Sequence, residues 1–424
     1  MSCDPNWHEV PLYDVCESIM DCVNKTAPSV DYATPYKMIR TTNVRDGWVS
    51  LDQVKFVDKE TYDKWIRRQK PQKGDVILTR EAPLGEVGML RSDERVFLGQ
   101  RLVSYRANPE KLDNRFLLYA FQGYHLQTQI KALGSGSTVE HMRVPDAKKL
   151  RISLPTLSTQ RQIASILSAY DDLIENNTRR IEILEEMARR LYEEWFIYFR
   201  FPGHEGMSFK ESELGKIPEG WEVRRLDEVV TLNPKTKVLK EGEKWFVPMG
   251  ALSESGMAVG PLEKKTGNSG AKFQNGDTLV ARITPCLENG KTGFVDFLPE
   301  EQATACGSTE FIVMRSVRLC PEMTYLLARS DRFRDVAIKS MSGATGRQRV
   351  RVESLIELPV VQPDDATLNA FQNFVAPCFK QIRKLSKKNT NLRAQRDLLL
   401  PKLVSGETDV SDITMPDRKE VEAA

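Results

Sequence analysis

From Gln160 to Phe196 the apolar residues fall on Ile163, Leu167, Tyr170, Ile174, Ile181, Leu184, Ala188, Leu191 and Trp195, and Asn177 fills the one gap. The steps alternate four and three without a break, which is the narrow seam of a helix that needs a partner helix. No Pro or Gly interrupts the run, so at about 1.5 Å per residue the helix is expected to be on the order of 55 Å long. The same stepping returns later as Phe371, Val375, Cys378, Ile382, Leu385, Asn389, Leu392, Arg396, Leu399 and Leu403. The partner is therefore expected within the same chain.

The two asparagines choose the direction of pairing. A parallel alignment in step sets Asn177 against Leu385 and buries an unpaired amide. An antiparallel alignment that joins Asn177 to Asn389 also brings Ile174 to Leu392, Leu184 to Ile382, Leu191 to Val375 and Trp195 to Phe371. One buried amide pair of this kind fixes register at some cost in stability. Charge points the same way, with Glu182, Glu185, Glu186, Glu193 and Glu194 on the first helix facing Lys380, Arg383, Lys384, Lys387 and Lys388 on the second. Pro377 removes a helical hydrogen bond and is expected to kink or break the first third of the second helix.

At 424 residues the chain is long enough for two or three domains. A net charge of +2, with 28% charged and 40% hydrophobic residues, describes a globular protein whose nucleic-acid surface, if it has one, is local. No run approaches the roughly 18 apolar residues of a membrane span, and Met1–Val10 has no signal-peptide core. The seven cysteines are odd in number and scattered, without the close spacing of a zinc or redox site, so reduced thiols in the cytoplasm are expected.

The remaining sequence is one module written twice. Gly74, Asp75, Arg80, Pro83, Glu86 and Gly88 recur at one constant offset as Gly276, Asp277, Arg282, Pro285, Glu288 and Gly290. Between Asp and Arg, Val76-Ile77-Leu78 is answered by Thr278-Leu279-Val280, so each copy reads as a turn entering a buried strand. Leu98–Tyr105 is a further β-like run. The openings Trp7, Leu12 and Val15 match Trp221, Leu226 and Val229, and the endings read as Leu154-Pro155 and Leu358-Pro359. The expected order is a first module over 1–155, a helix over 156–200, a connector over 201–218, a second module over 219–360, a helix over 361–406 and a disordered tail over 407–424. The fold class is α+β: two repeated mixed α/β domains separated by two long helices in an antiparallel coiled coil, with pseudo-twofold symmetry. Paired antiparallel helices are expected to hold the modules at the two ends of a rod. Such a rod spans more than the ~34 Å between successive major-groove faces of DNA.

No constellation for catalysis emerges. Gly290-Lys291-Thr292 resembles the end of a phosphate loop, but Pro285 stands where the first glycine belongs. His8, His125, His141 and His204 are too dispersed for a metal site. Pro145-Asp146 with Lys148-Lys149 lacks a second acid at nuclease spacing, and neither an adenine-methylase motif nor a glycine-rich cofactor turn occurs. No cofactor is expected on this chain.

What remains is two polar, glycine-rich loops in equivalent places. The first is Gly134-Ser135-Gly136-Ser137-Thr138, followed by Glu140, His141 and Arg143; the second is Gly343-Ala344-Thr345-Gly346-Arg347-Gln348-Arg349, followed by Arg351. Arg and Gln suit bidentate base-edge contacts, while Ser, Thr and backbone N–H suit phosphate. The candidate DNA-binding set is Ser137, Thr138, His141, Arg143, Thr345, Arg347, Gln348, Arg349 and Arg351, with Arg40 and Asn43 from the first module. Arg80 and Arg282 join it as strand-end residues that either contact phosphate or pair internally with Glu86 and Glu288.

Three stretches resemble the DNA-specificity subunits of type I restriction–modification systems. They are Leu191-Tyr192-Glu193-Glu194-Trp195-Phe196 running into Phe199-Arg200-Phe201-Pro202-Gly203-His204-Glu205, then Leu214-Gly215-Lys216-Ile217-Pro218-Glu219-Gly220-Trp221-Glu222-Val223, then Arg396-Asp397-Leu398-Leu399-Leu400-Pro401-Lys402-Leu403 with Ser405-Gly406. With the repeated turns and the order of modules and helices, the likeness covers nearly the whole chain. It departs at Gln362-Pro363-Asp364-Asp365, which lacks the Glu-Gln common at the start of the second helix, and at the first helix only Gln160-Arg161-Gln162 is present. The resemblance implies two target-recognition domains, each reading half of a split double-stranded DNA site, on a non-catalytic chain. It also implies two adenine-N6 methyltransferase subunits that carry S-adenosylmethionine in their own pockets, with a translocating nuclease subunit as a further partner. A stand-alone regulator that binds a split site and a coiled-coil scaffold without DNA affinity are the alternatives.

Overall fold

The computed structural model describes residues 7–136, 140–239, 241–299, 303–344 and 346–411. The expected disordered tail falls mostly outside these residues, as do Ser137, Thr138 and Thr345. The chain is a mixed α/β structure that divides into two compact units: Met1–Ile174 with Asn391–Ala424, and Glu175–Thr390.

In the first unit a six-stranded sheet runs in the order Cys16–Asp21, Leu102–Ala107, Val76–Arg80, Leu84–Met89, Gly47–Val49, Val44–Arg45. Val76, Ile77 and Leu78 are fully buried, because the strand is covered on both faces. Strand side chains alternate. Val76 and Leu78 therefore enter the main core with Phe116, Leu117 and Ile163, while Ile77 enters a second one with Ile39, Val96 and Leu98. A three-stranded sheet of Lys55–Phe56, Tyr36–Ile39 and Arg95–Leu98 flanks this second core. The run Leu98–Tyr105 is thus not one strand. Arg101, at φ 71°, makes a turn between Arg95–Leu98 and Leu102–Ala107.

The second unit carries a four-stranded sheet in the order Val230–Leu232, Phe311–Ser316, Thr278–Ala281, Thr292–Phe294. Its buried strand follows the same logic: Leu279 faces one core with Val247 and Phe273, and Val280 faces another with Trp221 and Phe371. A second four-stranded sheet is built from Glu263–Lys265, Lys244–Val247, Thr304–Gly307 and Ala271–Gln274.

Each unit closes its module with one short pairing of chain ends. His8–Pro11 pairs with Arg151–Leu154, and Glu222–Arg225 with Pro359–Gln362. This register revises the sequence match of the endings. Leu12 N–H donates to Leu150 O at 2.8 Å and Leu226 N–H to Leu358 O at 2.9 Å, so Leu358 answers Leu150, and Pro363 answers Pro155. The two Leu-Pro dipeptides look alike in sequence but occupy different places in the pairing.

The long helices span Leu157–Phe196 and Asp365–Val404, 40 residues each. Pro377 neither breaks nor ends the second one. Val375, Phe379 and Ile382 around it are buried, and that packing outweighs the ~3 kcal/mol a mid-helix proline costs. Within the second unit Asn177 Nδ2 donates to Asn389 Oδ1 at 2.9 Å, and the Trp195 and Phe371 rings lie 5.7 Å apart. The expected charge ladder is absent for most of its acids. Glu186 and Glu193 bind Arg189 on their own helix, Glu194 binds Arg200, and Glu185 accepts from Met257 N–H. On the other helix, Arg383 lies 3.7 Å from Asp296. Exposed pairs form with whichever partner is nearest, and an i,i+3 or i,i+4 neighbour needs no second helix.

Candidate DNA interface

The repeated Gly-Asp turn builds the base of the candidate site in each unit. Gly74 and Gly276 have φ of 93° and 90°, a left-handed conformation that favours glycine. The buried carboxylate that follows closes the turn and anchors a neighbouring strand. Asp75 accepts from Gln72 N–H and from Arg106, and Asp277 accepts from Gln274 N–H and from Arg315. These acids are structural, and each delivers its strand so that Arg80 or Arg282 stands at the far end.

There the two strands meet the glycine-rich loops through matching backbone contacts. Met142 N–H donates to Arg80 O and Val350 N–H to Arg282 O, both at 2.9 Å. Ser135 and His141 bond reciprocally at 3.0 and 2.9 Å, as do Ser342 and Arg349. Each loop is therefore clamped at its neck, by Ser135 with His141 and by Ser342 with Arg349. Arg80 N–H also bonds to Arg101 O and Arg282 N–H to Glu310 O, so Arg101 and Glu310 occupy matching places with opposite charge.

Neither strand-end arginine pairs as the sequence suggested. Arg80 Nη1 donates to Met142 O at 2.8 Å, and Arg282 lies 3.3 Å from Glu310 rather than pairing with Glu288. Arg349 holds Glu310 with three contacts of 2.7 to 3.1 Å. Hydrogen bonds from Arg349 keep the Glu310 carboxyl below its usual range, and the same pairing raises Arg349.

The other candidates separate by availability. Arg347 is exposed at the tip of its loop, and beside it Gln348 N–H donates to Thr284 Oγ1 at 3.1 Å. Arg351 Nε bonds to Ser342 Oγ at the neck. In the first unit His141 is exposed, and the largely exposed Arg143 donates to Asp146 at 2.8 Å. Arg40 and Asn43 lie elsewhere, on the Thr41–Asn43 turn. Asn43 is buried, its Oδ1 accepts from Arg40 N–H at 2.9 Å, and Arg40 bonds to Gln53 O. Asn43 is thus spent on its own backbone. Ser137, Thr138 and Thr345 lie outside the described residues.

Sequence reading missed Arg101, Glu81 and Glu310. Arg101 pairs with Glu81 at 3.1 Å, whereas Ile283 is the residue after Arg282 in the other unit. No periodic signal marks these positions, because strand pairing alone brings them to the loops. Among the described residues no group of three or more His, Cys, Asp or Glu is placed to hold a metal ion.

Residues 5–186 match the family described as the type I restriction modification DNA specificity domain. The chain is 27% identical over 353 residues to the type I restriction enzyme MjaIX specificity subunit of Methanocaldococcus jannaschii, covering 80% of this chain and 79% of that one. It is 24% identical over 409 residues to the MjaVIII specificity subunit of the same organism, covering 91% and 92%. Its fold is similar to the crystal structure of a type I restriction–modification system S subunit from M. genitalium, with a TM-score of 0.57 at 16% identity, over 95% of this chain and 99% of that one. Residues 5–186 thus match the type I restriction modification DNA specificity domain, and over most of its length the chain is similar to type I restriction enzyme specificity subunits.

Proposed function

We propose that the chain reads a bipartite DNA sequence, one half with each module, and that the paired helices set the unread spacer between the halves. The observation that carries this reading is a constant backbone frame around which the side chains differ. Arg80 and Arg282 hold the two loop necks through the same backbone bonds, yet the surrounding side chains differ: Arg101 against Glu310, His141 against Arg349, Glu81 against Ile283. A binding frame kept constant while its side chains diverge suits two different half-sites. Arg347 and Gln348 at one tip, and His141 and Arg143 at the other loop, are the proposed DNA contacts, with Ser137, Thr138 and Thr345 assigned to phosphate on chemistry alone.

In this reading the chain is non-catalytic and works in the cytoplasm with two adenine-N6 methyltransferase subunits, and a translocating nuclease subunit completes a restriction assembly. Support for helix docking comes from Ile183 and Met187, 52% and 54% exposed on the first long helix and bordered by Glu182, Glu186 and Arg190. Single-molecule sequencing of the host genome tests the proposal. The expected result is one split motif with methyladenine in both halves, lost when this gene is deleted. A methylome that keeps every motif after the deletion refutes it. A stand-alone regulator instead predicts specific duplex binding with no methylation, and a scaffold predicts no salt-dependent DNA affinity.

A further inference from the structure

Where the first module meets the first long helix, one buried carboxylate joins three elements. Asp171 is 4% exposed. Its Oδ2 accepts from Tyr119 Oη at 2.7 Å, and Tyr119 belongs to Asn114–Gln122, the module helix in the same core as the strand ending at Arg80. Its Oδ1 accepts from Arg396 Nη1 at 2.7 Å, on the second long helix. Arg91 reaches the same corner, 4.0 Å from Asp171 and 3.4 Å from Asp172, with its guanidinium 3.6 Å over the Trp48 ring. Burial and the Asp171 charge push the Tyr119 hydroxyl far above its usual pKa, so it stays a donor.

The second unit makes the matching junction from other chemistry. Phe379 lies as far along its helix from the preceding strand as Asp171 does, and it packs edge-on against Phe294 at 5.0 Å and Tyr325 at 5.6 Å. Apolar packing is therefore enough to hold a module on its helix. A buried carboxylate is costlier than an aromatic ring, but its two hydrogen bonds have fixed directions, which a ring contact lacks.

We infer that Asp171 is a positioning residue: by binding Tyr119 of the module and Arg396 of the opposite helix, it fixes the angle of the first module on the helices and so selects spacer length. This rests on the bipartite reading above. It makes a demand that a purely stabilising role does not: loosening the joint must blur spacer length while the sequences of both half-sites stay the same.

The test selects a library of random duplexes on the full chain, alone and in the assembly that copurifies from its own cells, and sequences what is retained. Wild type is expected to enrich one split motif at one spacer length. Asp171→Asn keeps the side-chain volume and removes the charge, and Tyr119→Phe removes only the hydroxyl. Both are expected to retain the two half-motifs while duplexes one base pair longer or shorter gain about fivefold in relative enrichment, the scale of one lost hydrogen bond. Tyr119→Phe, with its fold checked by thermal unfolding, decides the matter should Asp171→Asn fail to fold. Retention of the single wild-type spacer by a folded variant overturns the positioning role and leaves the bipartite reading standing. A wild-type selection with no split motif overturns the bipartite reading, and this inference with it.

Discussion

Asn177 donates a 2.9 Å hydrogen bond to Asn389 between the two long helices, and both side chains are 3% exposed. Asn389 in turn donates to Thr178 Oγ1 at 3.2 Å. In a seam that is otherwise mostly apolar, the amides specify which layer meets which. A one-heptad slip would separate the two amides, setting Asn177 against Ile382 in one direction and Arg396 in the other. Replacing Asn177 alone with Leu removes the donor to the buried Asn389 Oδ1 and should cost about 1–3 kcal/mol in urea unfolding. The double variant Asn177→Leu with Asn389→Leu should recover that loss, because both polar groups leave together. A double variant as unstable as the single one would show that the pair does not act through mutual satisfaction.

Spacer length should follow helix length. Inserting one heptad after Ile181 and another between Lys384 and Leu385 preserves the seam and lengthens it by about 10.5 Å. Under the proposed function the unread spacer grows by roughly three base pairs. Methylome sequencing of a strain carrying this variant would read the change directly, and an unchanged spacer would remove the helices as the ruler.

Arg347→Ala should weaken recognition of one half-site by about 1–3 kcal/mol if Arg347 reads a guanine, leaving the other half untouched. Arg349→Ala is a different experiment, since Arg349 already binds Glu310. Competition binding against duplexes altered one half at a time separates the two. Equal loss on both halves would mark Arg347 as a general phosphate contact.

Asp296 gives a pH signature. Burial raises its pKa from 3.8 to about 6, against the opposing pull of Arg383. The folded state binds this proton more tightly than the unfolded chain does, so the contribution is whole below pH 3.8 and is lost as pH rises through about 6. Asp296→Asn should therefore gain stability relative to wild type, on the order of 2–3 kcal/mol, between pH 4 and pH 8. Denaturant midpoints measured across that range check it, and a pH-independent difference would contradict the assignment.

Periodicity and repetition carried much of the architecture in the sequence, because both are local properties. The seam stepping lies in single helices, and the Gly-Asp turn with its buried strand is complete within about ten residues of either copy. Pro377 shows the limit of a local rule: the penalty was read correctly, but only packing by Val375, Phe379 and Ile382 decides whether the helix continues. The module endings show another. Leu154-Pro155 and Leu358-Pro359 are alike as letters, while the hydrogen bonds from Leu12 and Leu226 go to Leu150 and Leu358.

Side-chain availability was decided by tertiary structure alone. Asn43 looked like a base reader and is consumed by the backbone of Arg40, while Arg349 is claimed by Glu310 from the turn before Phe311–Ser316. Glu310 and Arg349 lie far apart in the chain and meet only in the fold, whereas Arg40 is a near neighbour whose N–H reaches Asn43 through the Thr41–Asn43 turn. Hydrophobic period and residue identity alone lead to the expectation of two helices pairing antiparallel around one amide couple and of one module written twice. Which arginines stay exposed, and how the first module is joined to its helix through Tyr119, Asp171 and Arg396, depended on long-range contacts that no local pattern encodes.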